Sequence, residues 1–403
     1  MARKMYFLYL AFGGITQWGM SFHFATYVMF LLSRGLSILD ASLVNTAYAV
    51  TLTLAEFPTG VIADTWGRKV SFVISCFLVA FGMFVYAFAP GFLWFIIAEI
   101  IIAIGMTCTT GAFDAWIVDT IAFHNGTVDL PNLFTRASQI KKIGAVLGVL
   151  MGSYAAESFG LQMPWIMSSF IFFLVGVSAV LFMKEDYFKK NYATIRGGFK
   201  EFTSTVTKTI SFAKQNNHIV TALLIVGIST CAVQAYNMQW QPFFKAHIQS
   251  ISQFGWFFVA IVVSSFLGIS ISKKIMKNSG NDFAIPLIIS LVITGGAMIF
   301  SSLSPVFIVS IAMFMVHEVS RGSYSVFSDT YINAHIPSEE RASLLSLQAL
   351  AGHIGMAIGL PISGWIADNY SIRGAWIASS IFLIIMSGGI AIRIINNKKS
   401  PVV

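Results

Sequence analysis

Charge is what this sequence has least of. Asp and Glu number 17 and Lys and Arg 25 among 403 residues, so 10% of the chain is charged while 56% is hydrophobic. A water-soluble domain of this length cannot bury so large an apolar share, and lipid is left as the solvent. Alternating ten-residue strands are missing too, which excludes a transmembrane barrel and leaves helices to satisfy the backbone in the bilayer. Cysteine is limited to Cys76, Cys108 and Cys231, all inside apolar runs and without paired spacing, so neither a disulfide framework nor a zinc site is read. No Walker loop, H-E-x-x-H or G-x-S-x-G elbow occurs. The expectation is therefore not an enzyme, with no metal and no cofactor, whose energy comes from a gradient or from substrate concentration. The absence of a large soluble stretch counts against a sensor or scaffold.

What the chain has instead is apolar runs long enough to cross a bilayer, and a mean hydropathy of +0.77. Runs at 5–32, 39–63, 70–89, 92–122, 132–158 and 164–183 predict six spans, and those at 218–247, 251–272, 283–303, 305–335, 342–368 and 374–395 predict six more. The first run is too long for a signal peptide and is read as a retained span. The domains expected are 1–183, a six-helix bundle; 184–217, a basic linker; and 218–403, a second bundle. The net charge of +8 does not signal nucleic acid, because the basic residues lie in loops. With both termini and the linker placed inside, 21 of the 25 Lys and Arg are cytoplasmic: Arg3, Lys4, Arg68, Lys69, Arg136, Lys141, Lys142, seven in the linker, Lys273, Lys274, Lys277, Arg341, Arg393, Lys398 and Lys399. Only Arg34, Lys245 and Arg373 fall outside. That asymmetry predicts a multi-pass protein of the plasma (inner) membrane with both termini cytoplasmic.

The two sets of spans are duplicates. Trp165-Ile166-Met167-Ser168-Ser169 returns as Trp376-Ile377-Ala378-Ser379-Ser380, 211 positions later, and Asp119 returns as Asp329 and Arg136-Ala137-Ser138 as Arg341-Ala342-Ser343 at nearly the same offset. Helices five and eleven carry glycines at helical spacing (Gly144, Gly148, Gly152; Gly352, Gly355, Gly359, Gly364), which predicts close-packed faces.

Between the second and third spans runs Gly60-Val61-Ile62-Ala63-Asp64-Thr65-Trp66-Gly67-Arg68-Lys69. Gly60 suits close approach of a neighbouring helix, Gly67 suits a tight turn, and Asp64 is placed to pair with Arg68. This loop resembles the G-x-x-x-D-(R/K)-x-G-(R/K)-(R/K) signature of the major facilitator superfamily, with Thr65 in place of the usual basic residue. The resemblance implies an all-α integral membrane fold of twelve helices in two pseudo-symmetric six-helix bundles, working by alternating access. It also implies that Asp64, Arg68 and Asp119 form a latch that closes the cytoplasmic side in the outward-facing state. In the second half Gly268 is followed by Ser272-Lys273-Lys274, a worn copy without the aspartate. The pattern is closest to the proton-coupled drug and metabolite exporters. Glu99 lies where such exporters carry an arginine motif, which is absent here, so that arginine's proton role is not assigned.

Ionisable groups at membrane depth are expensive and therefore mark sites. Glu56 and Asp114, with Glu318, are the proton-coupling candidates. The first two lie roughly 12 Å or less from the inner ends of their spans, where mutual repulsion favours holding a proton unless one of them caps backbone amides or pairs with Lys141 or Lys142. In the tenth span Glu318 and Arg321 share a face about 20 to 24 Å in, either as a self-satisfied pair or with Arg321 receiving an anion. His23 and Tyr27 in the first span, and Gln234, Tyr236 and Asn237 in the seventh, join Glu318 and Arg321 as substrate-binding candidates, offering hydrogen bonds beside ring surface. Trp240, Phe243 and Phe244 read as an aromatic belt. The function expected is proton-coupled export of small organic solutes by a monomer; the alternative is an organic-anion or siderophore transporter with Arg321 as the anion-binding residue.

Overall fold

The computed structural model describes residues 2–124, 128–188, 211–278, 283–335 and 341–399. Among them run fourteen helices: α1 (Ala2–Ser21), α2 (Tyr27–Ser33), α3 (Ile38–Trp66), α4 (Arg68–Phe88), α5 (Phe92–Thr109), α6 (Ala112–Phe123), α7 (Leu130–Phe159), α8 (Met163–Phe182), α9 (Asn217–Phe244), α10 (Ile251–Asn278), α11 (Ala284–Leu303), α12 (Phe307–His335), α13 (Arg341–Asn369) and α14 (Ile372–Lys399). Nine spans among the described residues are long and apolar enough to cross a membrane, with α5 and α6 counted as one. The long helices α7 and α12, which hold Lys141, Lys142, Glu318 and Arg321, are not among the nine.

Two predicted spans are broken. In the first, Ser21 turns its hydroxyl back onto the Gln17 carbonyl at 2.8 Å, a bond that bends helices. Tight turns from Phe22 to Thr26 then separate α1 from α2. In the fourth, Gly111 takes φ +73 between α5 and α6, a left-handed conformation that glycine adopts without strain. The second break places Asp114 in the first turn of α6, where its charge complements the positive end of the helix dipole.

The chain forms two compact units. Unit 1 comprises Met1–Leu36, Ala47–Glu201 and Ile248–Trp256; unit 2 comprises Ser37–Thr46, Phe202–His247 and Phe257–Val403. The core of unit 1 gathers Tyr9, Phe12, Phe72, Phe113, Trp116 and Leu133, and that of unit 2 gathers Ile225, Leu287, Phe327, Tyr331 and Leu344. The duplication reaches the packing itself. A Cβ on Gly144 would meet the Gly14 carbonyl, and one on Gly148 the Trp18 carbonyl, so α7 lies backbone to backbone on α1. In unit 2 Gly355 meets the Gly227 carbonyl and Gly359 the Cys231 carbonyl, which lays α13 on α9 in the same way. Glu157 of α7 accepts the Ser252 N–H at 3.1 Å within unit 1. Asp368, 211 positions on, accepts the N–H groups of Ile38 and Leu39 at 3.1 and 2.9 Å within unit 2.

Candidate functional site

Three polar clusters lie in unit 1. The first surrounds the signature loop. Gly67 has φ +102 and starts α4, as the turn reading requires. Arg68, however, ion-pairs with Asp119 rather than with Asp64, which is exposed and has no ion pair among the described residues. The α4 N-terminus is capped from far along the chain, where Glu185 accepts the N–H of Arg68 at 2.8 Å and of Lys69 at 3.0 Å. Trp116 donates its indole N–H to the Lys184 carbonyl at 2.9 Å. Residues 184–188, read from the sequence as linker, are therefore docked on unit 1, and residues 189–210 lie outside the described residues. Burial first, then the neighbouring Glu185 and Asp119 carboxylates, push the Tyr187 phenol above its ordinary pKa. Gly60, expected to admit a neighbouring helix, has nothing within 4 Å of where its Cβ would stand.

The second cluster is a cavity of about 470 Å³ lined by Tyr9, Gln17, Asp114, Phe134, Ala137, Ser138, Lys141, Lys142 and Ala145. Tyr9 donates its hydroxyl to Asp114 at 2.5 Å. Lys141 and Lys142, assigned from the sequence to cytoplasmic loops, instead belong to the 30-residue helix α7 and line this cavity. The signal was present: Lys141 falls nine residues inside the predicted span 132–158. Glu56 is exposed on α3, and its carboxylate makes no ion pair or hydrogen bond among the described residues.

The third cluster follows the break after α1. His23 is 5% exposed and stacks on Trp165 with ring centroids 4.1 Å apart, and Tyr86 stacks on the same indole at 3.8 Å. Tyr27 reaches Glu99 with its hydroxyl at 2.9 Å. Glu99 is 5% exposed and was given no role from the sequence.

In unit 2, Glu318 and Arg321 pair at 2.8 Å, with the buried His317 ring 3.7 Å from the other carboxylate oxygen. Arg321 also donates to the Asn237 side chain at 2.7 Å. A second cavity, about 250 Å³, is lined by Arg321 with Ser229, Thr230, Tyr324, Asp329 and Gln348. The two other candidates on α9 are used in packing. Gln234 donates to the Thr230 carbonyl at 3.0 Å, and the buried Tyr236 hydroxyl bonds Ser380 at 2.7 Å. The aromatic-belt reading also gives way, because Trp240 and Phe244 are 5% and 1% exposed and pack on Phe257 inside unit 2.

Each unit thus sets ionisable groups beside a cavity, an arrangement suited to a protein that carries a polar solute. Known proteins agree. The chain is 24% identical to an uncharacterized MFS-type transporter of Methanocaldococcus jannaschii, covering 92% of this chain and 93% of that protein. It is 21% identical to a multi-drug resistance efflux pump PmrA homolog of Lactococcus lactis, covering 94% and 92%. In fold it matches a bacterial homolog of the human lysosomal transporter Spinster (TM-score 0.77, 14% identity, 100% of this chain and 99% of that one). The nucleoside transporter NupG matches with TM-score 0.74, 13% identity and complete coverage of both chains. The Major Facilitator Superfamily profile matches residues 8–317 and again 285–402, and the chain belongs to that family of membrane transporters.

Proposed function

We propose that this transporter exports small organic solutes in exchange for protons by alternating access. It works as a monomer in the plasma (inner) membrane with both termini cytoplasmic. The observation that carries the reading is Asp114: a carboxylate at the break between α5 and α6, bonded by Tyr9, opening on the cavity of unit 1. A carboxylate so placed is within reach of a solvated space, as a group that takes up and releases protons must be. Export draws support from the Lactococcus lactis relative, named as an efflux pump homolog. The reading in which Arg321 receives an organic anion draws less support, because its guanidinium is already engaged by Glu318 and Asn237.

Protein reconstituted into liposomes with an internal pH dye is the test, using solutes first selected by thermal stabilisation. Addition of solute is expected to move protons, and an imposed pH gradient to drive solute accumulation. Asp114→Asn is expected to retain solute-for-solute exchange and lose the response to the gradient. Wild-type uptake indifferent to the gradient would rule out proton coupling.

A further inference from the structure

Among the described residues Lys141 is an ammonium group without a partner, half-buried on the wall of the unit 1 cavity. It stands eleven residues into α7, roughly 16 Å along the helix from Leu130. Its stem lies across α1 at Gly13, where a Cβ would come within 3.1 Å of the Lys141 Cε. The missing side chain at that glycine is what lets the lysine lie flat against α1. Among the described residues the ammonium makes no ion pair and no hydrogen bond. Among the described residues that line the cavity the one carboxylate, Asp114, is held by Tyr9 and forms no ion pair with Lys141. Among the described residues of the wall, Lys141 is thus the ammonium left to a ligand.

An ammonium on a cavity wall that no protein group engages is left available to an anionic ligand. The cavity, about 470 Å³, is within the range that holds a small organic ligand. Phe134, Ala137 and Ala145 supply apolar wall, and Gln17 supplies an amide. Lysine, a compact point charge with three rotatable donors, selects for negative charge rather than for a planar fork. We infer that this cavity is a binding site for an organic acid, whose carboxylate pairs with Lys141 while its apolar body lies against Phe134.

The inference rests on the transporter reading and names its substrate class; it differs from the anion reading centred on Arg321, which places the charge in the other unit. The experiment uses the purified full chain with 1-naphthoate as probe, against the neutral 1-naphthamide and the cationic 1-naphthylmethylammonium. Naphthoate is expected to raise the melting temperature of the wild type, and the amide and the amine to leave it unchanged. Lys141→Gln is expected to weaken naphthoate binding roughly tenfold or more, and Lys141→Arg to retain it. Because Lys141→Gln removes an unpaired charge, the ligand-free variant is expected to melt at or above the wild-type temperature. A measurement on the wild type alone stands beside these variants: naphthoate, but not naphthamide, is expected to protect Lys141 from acylation, read by mass spectrometry. Equal binding of naphthoate and naphthamide, no naphthoate-dependent shift, unchanged affinity in Lys141→Gln, or no selective protection would each overturn the assignment. Binding in detergent needs no gradient, so naphthoate that binds through Lys141 while an imposed pH gradient drives no solute across liposomes would sink the proton-coupled reading and leave this one standing. Transport of other solutes, with naphthoate binding indifferent to Lys141, would do the reverse.

Discussion

Glu99 keeps a carboxylate at 5% exposure among the rings of unit 1, and the Tyr27 hydroxyl donates to it at 2.9 Å. A buried acceptor that loses a donor forfeits that bond and remains desolvated, at a cost of about 1–3 kcal/mol. Tyr27→Phe is accordingly expected to lower the unfolding free energy of the purified protein by that amount, and by clearly less in a Glu99→Gln background. Equal losses in both backgrounds, read from a double-mutant cycle, would show that the two groups are not coupled. The pair was out of reach of sequence reasoning for a physical reason. Tyr27 and Glu99 are 72 residues apart, and their meeting depends on the turn at Phe22–Thr26, which resets the helical phase of α2 relative to α1. The Glu318–Arg321 pair was legible because both residues lie on one continuous helix, three apart.

At the level of elements, the glycine spacing on α7 and α13 was enough to foresee close packing, because small residues on one helical face leave room for a neighbouring backbone. It did not identify the neighbour, which is α1 for α7 and α9 for α13. Gly60 shows the opposite failure: a glycine in the signature loop attracted a packing role, yet its surroundings are open. These two environments give opposite expectations for one chemical change. A Cβ on Gly152 would overlap the Phe22 carbonyl, carbon and Cα, all backbone atoms that cannot swing aside. Gly152→Ala is therefore expected to force α7 away from the turn that follows α1 and to reduce the yield of folded protein, seen as loss of the monodisperse peak in size-exclusion chromatography. Gly60→Ala meets nothing and lies inside α3, where alanine is favoured over glycine by about 0.5–1 kcal/mol. That variant is expected to melt at or slightly above the wild type, and a marked loss of stability would mean that Gly60 has a neighbour after all.

For the whole molecule, the two units share a packing scheme but differ in charge. Arg68 is bound to Asp119 and the α4 N-terminus to Glu185, all within unit 1, so neither feature leaves a free charge. Asp64 does, being exposed and without an ion pair among the described residues. Unit 2 has Ser272 at the matching place, fully buried and bonded to its own helix through the Ile269 carbonyl at 2.8 Å. If the signature loop biases which side of the membrane the cavity opens to, the bias must act through Asp64, and Ser272 has no charge with which to repeat it. A free carboxylate acts on charges and helix ends that come near it in one conformation and not in the other, and such differential contact is what moves a two-state equilibrium. In a protein with Cys76, Cys108 and Cys231 replaced, a single cysteine at Ser138, on the wall of the unit 1 cavity, reports access from each side. Asp64→Asn is expected to speed its labelling by an impermeant maleimide from the proposed cytoplasmic face and to slow it from the opposite face, and Ser272→Ala to change neither. Labelling rates unaltered by Asp64→Asn would sink the latch, and would leave the Arg68–Asp119 pair with a role in holding α4 against α6 alone.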